Sequence, residues 1–170
     1  RRSEKSGGGC NSVLMYFLNM DNGALSILPV SRVIGNLDSS GISRLKSKLG
    51  DFFHIERLEL ALNDKKKKIE TIAGRLHREV GSVFAVYWGG SRYELLTIRK
   101  GKESLLDEVN TVVLDKLIKE AMAKDELERG QDIDFVKEQE EAIDLVQRKK
   151  YQLAFFLKSI SLKQVKEVCL

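Results

Sequence analysis

Val13-Leu14-Met15-Tyr16-Phe17-Leu18-Asn19-Met20, then Asp21-Asn22-Gly23, then Ala24-Leu25-Ser26-Ile27-Leu28-Pro29-Val30-Ser31-Arg32-Val33-Ile34 is the segment on which the fold assignment turns. Two apolar runs flank Asn-Gly, and a primed turn needs the positive φ that these residues tolerate, so the stretch reads as a β-hairpin. Pro29 cannot donate to a ladder, which places it at an edge, a bulge or the end of the second strand. The polar pair Ser31-Arg32 follows it. It reads either as a site or as a solvated strand end.

Beyond this segment the chain alternates helical and strand patterns. Ile42, Leu45, Leu49 and Phe52 recur at helical spacing after a Ser39 or Ser40 cap, with Gly50 as a stop. Phe53 to Leu60 alternates like a half-buried strand, with His54 on the solvent phase. Asn63-Asp64 caps a helix with stripe Ile69, Ile72, Ala73, Leu76 and Val80, ended by Gly81. Val83 to Trp88 and Arg92 to Lys100 form a second hairpin through Gly89-Gly90, covered on both faces, with Trp88 and Tyr93 packing across the strands. Val112 to Met122 is a broadly apolar helix, and Asp132 to Val136 is a short strand.

Glu138 to Lys150 is a helix with acids in its first turn and Arg148-Lys149-Lys150 in its last, matching its dipole. Tyr151 to Leu157 is nearly continuous in apolar residues, as a central strand requires. Ser161-Leu162-Lys163-Gln164 is a capping-box pattern opening a last helix. The expected class is α+β: a mixed, largely antiparallel sheet built from hairpins, with about five helices packed on it. Residues 1–11, with Gly7-Gly8-Gly9, read as a flexible loop. Residues 12–170 read as a single α+β domain, incomplete at both ends.

Composition narrows the function classes. The chain has 170 residues, enough for one core, with 42% hydrophobic and 32% charged residues, as in a globular protein. Cys10 and Cys169 have neither a second Cys nor a His at ligand spacing, so no metal site is expected, and two reduced thiols fit a cytoplasmic protein. No apolar run approaches the roughly 20 residues that span a bilayer, so no membrane partner is expected. Residues 1–102 carry 18 Lys/Arg against 10 Asp/Glu, and residues 103–170 carry 11 against 15. Such asymmetry fits either nucleic-acid contact by the basic half or one domain with two differently charged faces.

The basic surface centres on the helix after Asp64. Lys65, Lys66, Lys67 and Lys68 fill its first turns, where positive charge opposes the dipole, and Arg75 and Arg78 continue the flank. A phosphate-binding face has this composition, and so does an ordinary solvated helix. No aromatic residues interleave with these cations, unlike a single-strand-binding surface. His77 has no partner at metal spacing. Asp132 and Asp134 share a strand face without a third carboxylate. No Ser-His-Asp set, Cys-His pair, Glu-x-x-His or phosphate loop occurs. No cofactor is indicated.

Several segments in this order resemble the prokaryotic family called domain of unknown function 1015. They are Leu14 to Asp21 leading into Leu28-Pro29-Val30-Ser31-Arg32, the strand at Phe53, the hairpin at Trp88, Val113-Leu114-Asp115-Lys116-Leu117, Asp132 to Val136, and Gln152 to Leu157. Two motifs of that family are absent from this sequence: Asp-Gly-His-His-Arg-Tyr upstream, and Met-Pro followed by Lys-Ser-Thr downstream. The family's usual Leu-Pro-Thr-His-Arg stands here as Leu28-Pro29-Val30-Ser31-Arg32. The resemblance therefore leaves Arg32 as a candidate anion contact and removes the imidazole at Ser31.

The family's His-His-Arg motif is similar to one in ParB and sulfiredoxin-like proteins, and its members tend to be encoded near serine-biosynthesis genes. Absent catalytic motifs, the resemblance and the basic helix support, in that order, three readings. The first is a non-catalytic domain of a larger cytoplasmic protein whose main partner is the rest of its own chain. The second is part of a nucleotide-linked phosphoryl-transfer enzyme acting on a small anionic ligand. Nucleic-acid binding through the basic helix is the third.

Overall fold

Alternating burial and short turns fold the chain into three layers, a sheet with two helices on each face. The computed structural model describes residues 29–60, 64–79, 81, 83–101, 110–124 and 127–158. The elements are β1 (Ser31–Ile34), α1 (Ser39–Phe52), β2 (Phe53–Leu58), α2 (Lys65–Arg78), β3 (Val83–Tyr87), β4 (Tyr93–Ile98), α3 (Asn110–Met122), β5 (Ile133–Val136), α4 (Gln139–Gln147) and β6 (Leu153–Leu157). The strand order is β2-β4-β3-β6-β1-β5, and every described strand pair is antiparallel. The class is α+β, with four described helices on six strands.

The 2-residue side-chain period of the strands divides the core in two. On one face Ile34, Phe84, Val86, Leu96, Phe155 and Leu157 meet Leu45 and Leu49 of α1 and Leu114 and Ile118 of α3. On the other, Val33, Ala85, Tyr87, Leu95 and Phe156 meet Ile72 and Leu76 of α2 and Ala142, Ile143 and Val146 of α4. All five residues of β6 are buried, as its unbroken apolar run predicts, and it bridges β3 and β1.

The opening hairpin, the 1–11 loop and the last helix lie outside the described residues. Within them, β1 starts only at Ser31, after Pro29, and has β6 on one side and β5 on the other. Both sides of Ser31–Ile34 are therefore occupied by described strands.

Local chemistry corrects several boundaries. Asp38, not a serine, caps α1: its carboxylate accepts from the Gly41 N–H and the Ser40 hydroxyl, which hold its pKa below the carboxylate norm. α1 runs past Gly50 to Phe52. α2 starts after Asp64 as expected but stops at Arg78, ahead of Gly81. α4 ends at Gln147, so Arg148-Lys149-Lys150 follow the helix, with Lys149 left-handed at φ 59°.

In the second hairpin, Gly89 and Gly90 take φ of 95° and 61°, and the turn closes through Trp88 N–H to Arg92 C=O at 3.0 Å. The stacked cross-strand pair is Tyr87–Tyr93, at 4.4 Å between centroids, rather than Trp88–Tyr93. Trp88 instead donates its indole N–H to Glu94 at 2.7 Å. β2 departs most from expectation. Residues 54–57 are exposed on both phases, in a strand whose one neighbour among the described residues is β4.

Candidate functional site: the Arg32 end of the sheet and the basic helix

Arg32 lies on the α1/α3 face of β1, with its side chain only 7% exposed. A buried guanidinium needs a counter-charge. It finds one in Asp115 of α3: Nε donates to Oδ1 at 2.8 Å, and Nη1 donates to the Val30 carbonyl at 3.4 Å. These contacts use part of a five-donor fork. Its cross-strand partner is Phe135 of β5, and the guanidinium lies 5.2 Å from that ring's centroid. Arg129 approaches the same ring at 5.7 Å. Phe135 is 40% exposed, and the Asp115 side chain 37%, so the group opens to water at the sheet margin.

Sequence reading finds Arg32 but misses Asp115, Arg129 and Phe135. A lone carboxylate within Val113-Leu114-Asp115-Lys116-Leu117, beside buried helix positions, is the available signal. Ser31, one residue away, points to the opposite face and is buried with no hydrogen-bond partner for its Oγ among the described residues.

Asp132 and Asp134 do not act together. Asp132 is buried ahead of β5 and closes the turn before it, accepting from Lys124 Nζ at 2.6 Å, the Glu128 N–H at 3.1 Å and Asn36 Nδ2 at 3.4 Å. Burial pushes its pKa up, but these donors outweigh that and hold it below the usual carboxylate value. Asp134 instead faces the Tyr151 hydroxyl, at 3.3 Å. Among the described residues no group of three His, Cys, Asp or Glu could hold a metal ion. His54 and His77 are both exposed.

The six basic residues of α2 are brought onto one helix, but several are engaged. Lys65 pairs with Asp144 of α4, and Arg75 with Glu56 of β2 at 2.6 Å. Lys68 lies 5.8 Å from the Tyr93 ring centroid. Lys66 lines a cleft of about 470 Å³ with Glu138, Glu140, Glu141, Asp144 and Arg148. The lysines at the unfavourable end of the helix dipole thus face the acidic start of α4. The Asp64 carboxylate, accepting from the Lys66 N–H, offsets them further. Lys67 and Arg78 point to solvent.

Residues 1–129 match the profile of the family described as protein of unknown function DUF1015. The chain belongs to that family. The matched span holds β1 to β4 and α1 to α3, whereas β5, α4 and the central strand β6 lie beyond it. The DUF1015 sheet described here is therefore completed by strands outside the match, because β6 alone joins β3 to β1. No curated protein and no solved structure matches the chain. No helix among the described residues is long and apolar enough to cross a membrane.

Proposed function

We propose that this chain is a non-catalytic binding domain of a larger cytoplasmic protein, and that it takes a small anionic ligand at the Arg32 end of the sheet. The reading rests on the approach of two guanidiniums, Arg32 and Arg129, to one exposed ring, with Asp115 as a half-exposed counter-ion. A phosphate or carboxylate arriving there exchanges with Asp115 for a fork suited to oxyanions. Phosphoryl transfer in the intact protein would use the same contact, with its reacting groups on other segments.

The test is a thermal-shift titration of the full chain with inorganic phosphate, nucleotides and phosphorylated serine-pathway metabolites. A hit should stabilise in proportion to ligand excess over Kd. Arg32→Ala should abolish the shift, and Asp115→Asn, which removes the competing carboxylate, should strengthen it. A shift unchanged in Arg32→Ala, or no shift in the wild type and Asp115→Asn alike, overturns the reading.

A further inference from the structure

The two edge strands of the sheet differ in what they expose. β5 is four residues long, and its margin carries the cations around Phe135. Short, charged edges resist pairing with another chain. β2 is six residues long, and His54, Ile55, Glu56 and Arg57 are all exposed, with Ile55 at 39%. Among the described residues this stretch has β4 as its one strand neighbour, and both phases of its side chains reach water.

The ladder fixes which backbone groups face outward. The Phe52 carbonyl accepts from the Arg99 N–H at 2.9 Å, one step beyond the Phe53–Ile98 pair. Antiparallel partners exchange hydrogen bonds at every second residue, so His54 and Glu56 bond β4, while Ile55 and Arg57 turn their N–H and C=O away from it. Phe53 offers only its carbonyl on that side, because its N–H donates to the Leu49 carbonyl at the end of α1. The Phe53 carbonyl accepts from Arg99 Nε at 3.0 Å and keeps a second lone pair.

We propose that this edge is a self-association surface: β2 of a second copy of this chain pairs with it antiparallel, Ile55 opposite Ile55, His54 opposite Glu56 and Phe53 opposite Arg57. The proposal is independent of the anion site. A twofold axis between two edge strands stands normal to the sheet and keeps each face on its own side, so only residues of equal parity oppose one another. Two such registers overlap five residues of Phe53–Leu58. Centring on Glu56 sets two carboxylates opposite each other, which is unfavourable. Centring on Ile55 joins the two exposed apolar side chains, sets each carboxylate against an imidazole, pairs the outward groups of the two Ile55 residues, and brings the Arg57 N–H to the Phe53 carbonyl. Arg75, already on Glu56, adds positive charge on that face. The charges at positions 54 and 56 thus select one register and disfavour indiscriminate stacking.

Sedimentation velocity of the full chain over a concentration series tests this. The expected result is a reversible monomer–dimer equilibrium. His54→Glu should weaken it roughly ten-fold, through two new like-charge pairs. Glu56→Gln should also weaken it, whereas a Glu56-centred register would strengthen. Ile55→Pro removes an outward N–H without touching the β4 ladder and should abolish the dimer. Circular dichroism checks that this variant folds, and the exposed His54→Glu change decides between the outcomes if it does not. A wild type that stays monomeric to its solubility limit, a dimer indifferent to His54→Glu, or one strengthened by Glu56→Gln overturns the proposal.

Discussion

The β1–β5 end of the sheet and helix α2 contain the same kinds of residue in opposite settings. Each holds a glycine and a set of charged side chains with partners. At the sheet end, Gly35 is pressed against the Gln131 carbonyl, and Arg32 and Asp132 are buried, each paired with a partly exposed counter-charge. On α2, Gly74 meets nothing within 4 Å of where a Cβ would stand, and Lys65 and Arg75 pair at the surface. Residue type alone therefore carries little energy here. What surrounds the residue sets the sign and size of any substitution.

Gly35→Ala is the most severe way to probe that contrast. The added Cβ would stand 2.7 Å from the Gln131 carbonyl oxygen and 3.2 Å from a Tyr151 ring carbon. Neither neighbour is free to yield. The Gly35 N–H donates to the Asp132 carbonyl at 2.9 Å, and the adjacent Gln152 side chain grips both the N–H and the C=O of Leu37. Relief requires backbone movement between β1 and the turn before β5, so we expect a loss of about 3 kcal/mol, the upper end for overpacking. Urea unfolding measures it. A loss below about 1 kcal/mol would mean that this end of the sheet yields as readily as α2.

Asp132→Ala comes next. It leaves the Glu128 N–H and the Asn36 amide without their acceptor, while Lys124, 44% exposed, regains water. The expected loss is about 2 kcal/mol near neutral pH. Its pH dependence has a definite sign. The folded-state pKa of Asp132 lies below the unfolded value, so its stabilisation is complete above the ordinary carboxylate range. It fades as pH falls through that range towards the folded value. The gap between wild type and variant in urea midpoint should therefore narrow on acidification below about pH 4. A gap that widens on acidification would show that the carboxyl works in its protonated form.

Much of the layered architecture is legible in the pattern, and most of the site is not. The apolar run ending in Leu157 announces a strand buried on both faces, and β6 is central. The helix stripes of α1 and α2 point at the core as their spacing predicts. Phe53-His54-Ile55-Glu56 misleads, because His54, Ile55, Glu56 and Arg57 stand in water on both phases, and alternation cannot report which faces of a strand the helices cover. Arg32 is visible as a cation beside a proline, but its partner Asp115 lies 83 residues away and is set by helix packing. The charge asymmetry is plain in the sequence and admits two explanations there. Arg32–Asp115, Lys48–Glu120 and Lys65–Asp144 all join the basic half to the acidic half, so part of that imbalance is matched inside the molecule.

The smallest expected effect tests the other side of the comparison. Gly74 lies inside α2 between the buried Ile72 and Leu76, yet beyond its chain neighbours and the helix's own backbone nothing lies within 4 Å of the position a Cβ would take. A helix-interior glycine leaves the unfolded chain more freedom than alanine does, and that freedom is lost on folding. With helical φ and ψ already in place and no neighbour to displace, Gly74→Ala should stabilise by about 0.5–1 kcal/mol. Lys67→Ala, on the same exposed helix, should change stability by less than about 0.5 kcal/mol and so marks the baseline for a solvated position. The same urea series reads both. If Gly74→Ala destabilises, α2 packs more closely than its open surface indicates, and the contrast with Gly35 loses its basis. A gain confined to Gly74 shows instead that one chemical change, glycine to alanine, reverses sign between two regions because one Cβ meets a fixed carbonyl and the other meets water.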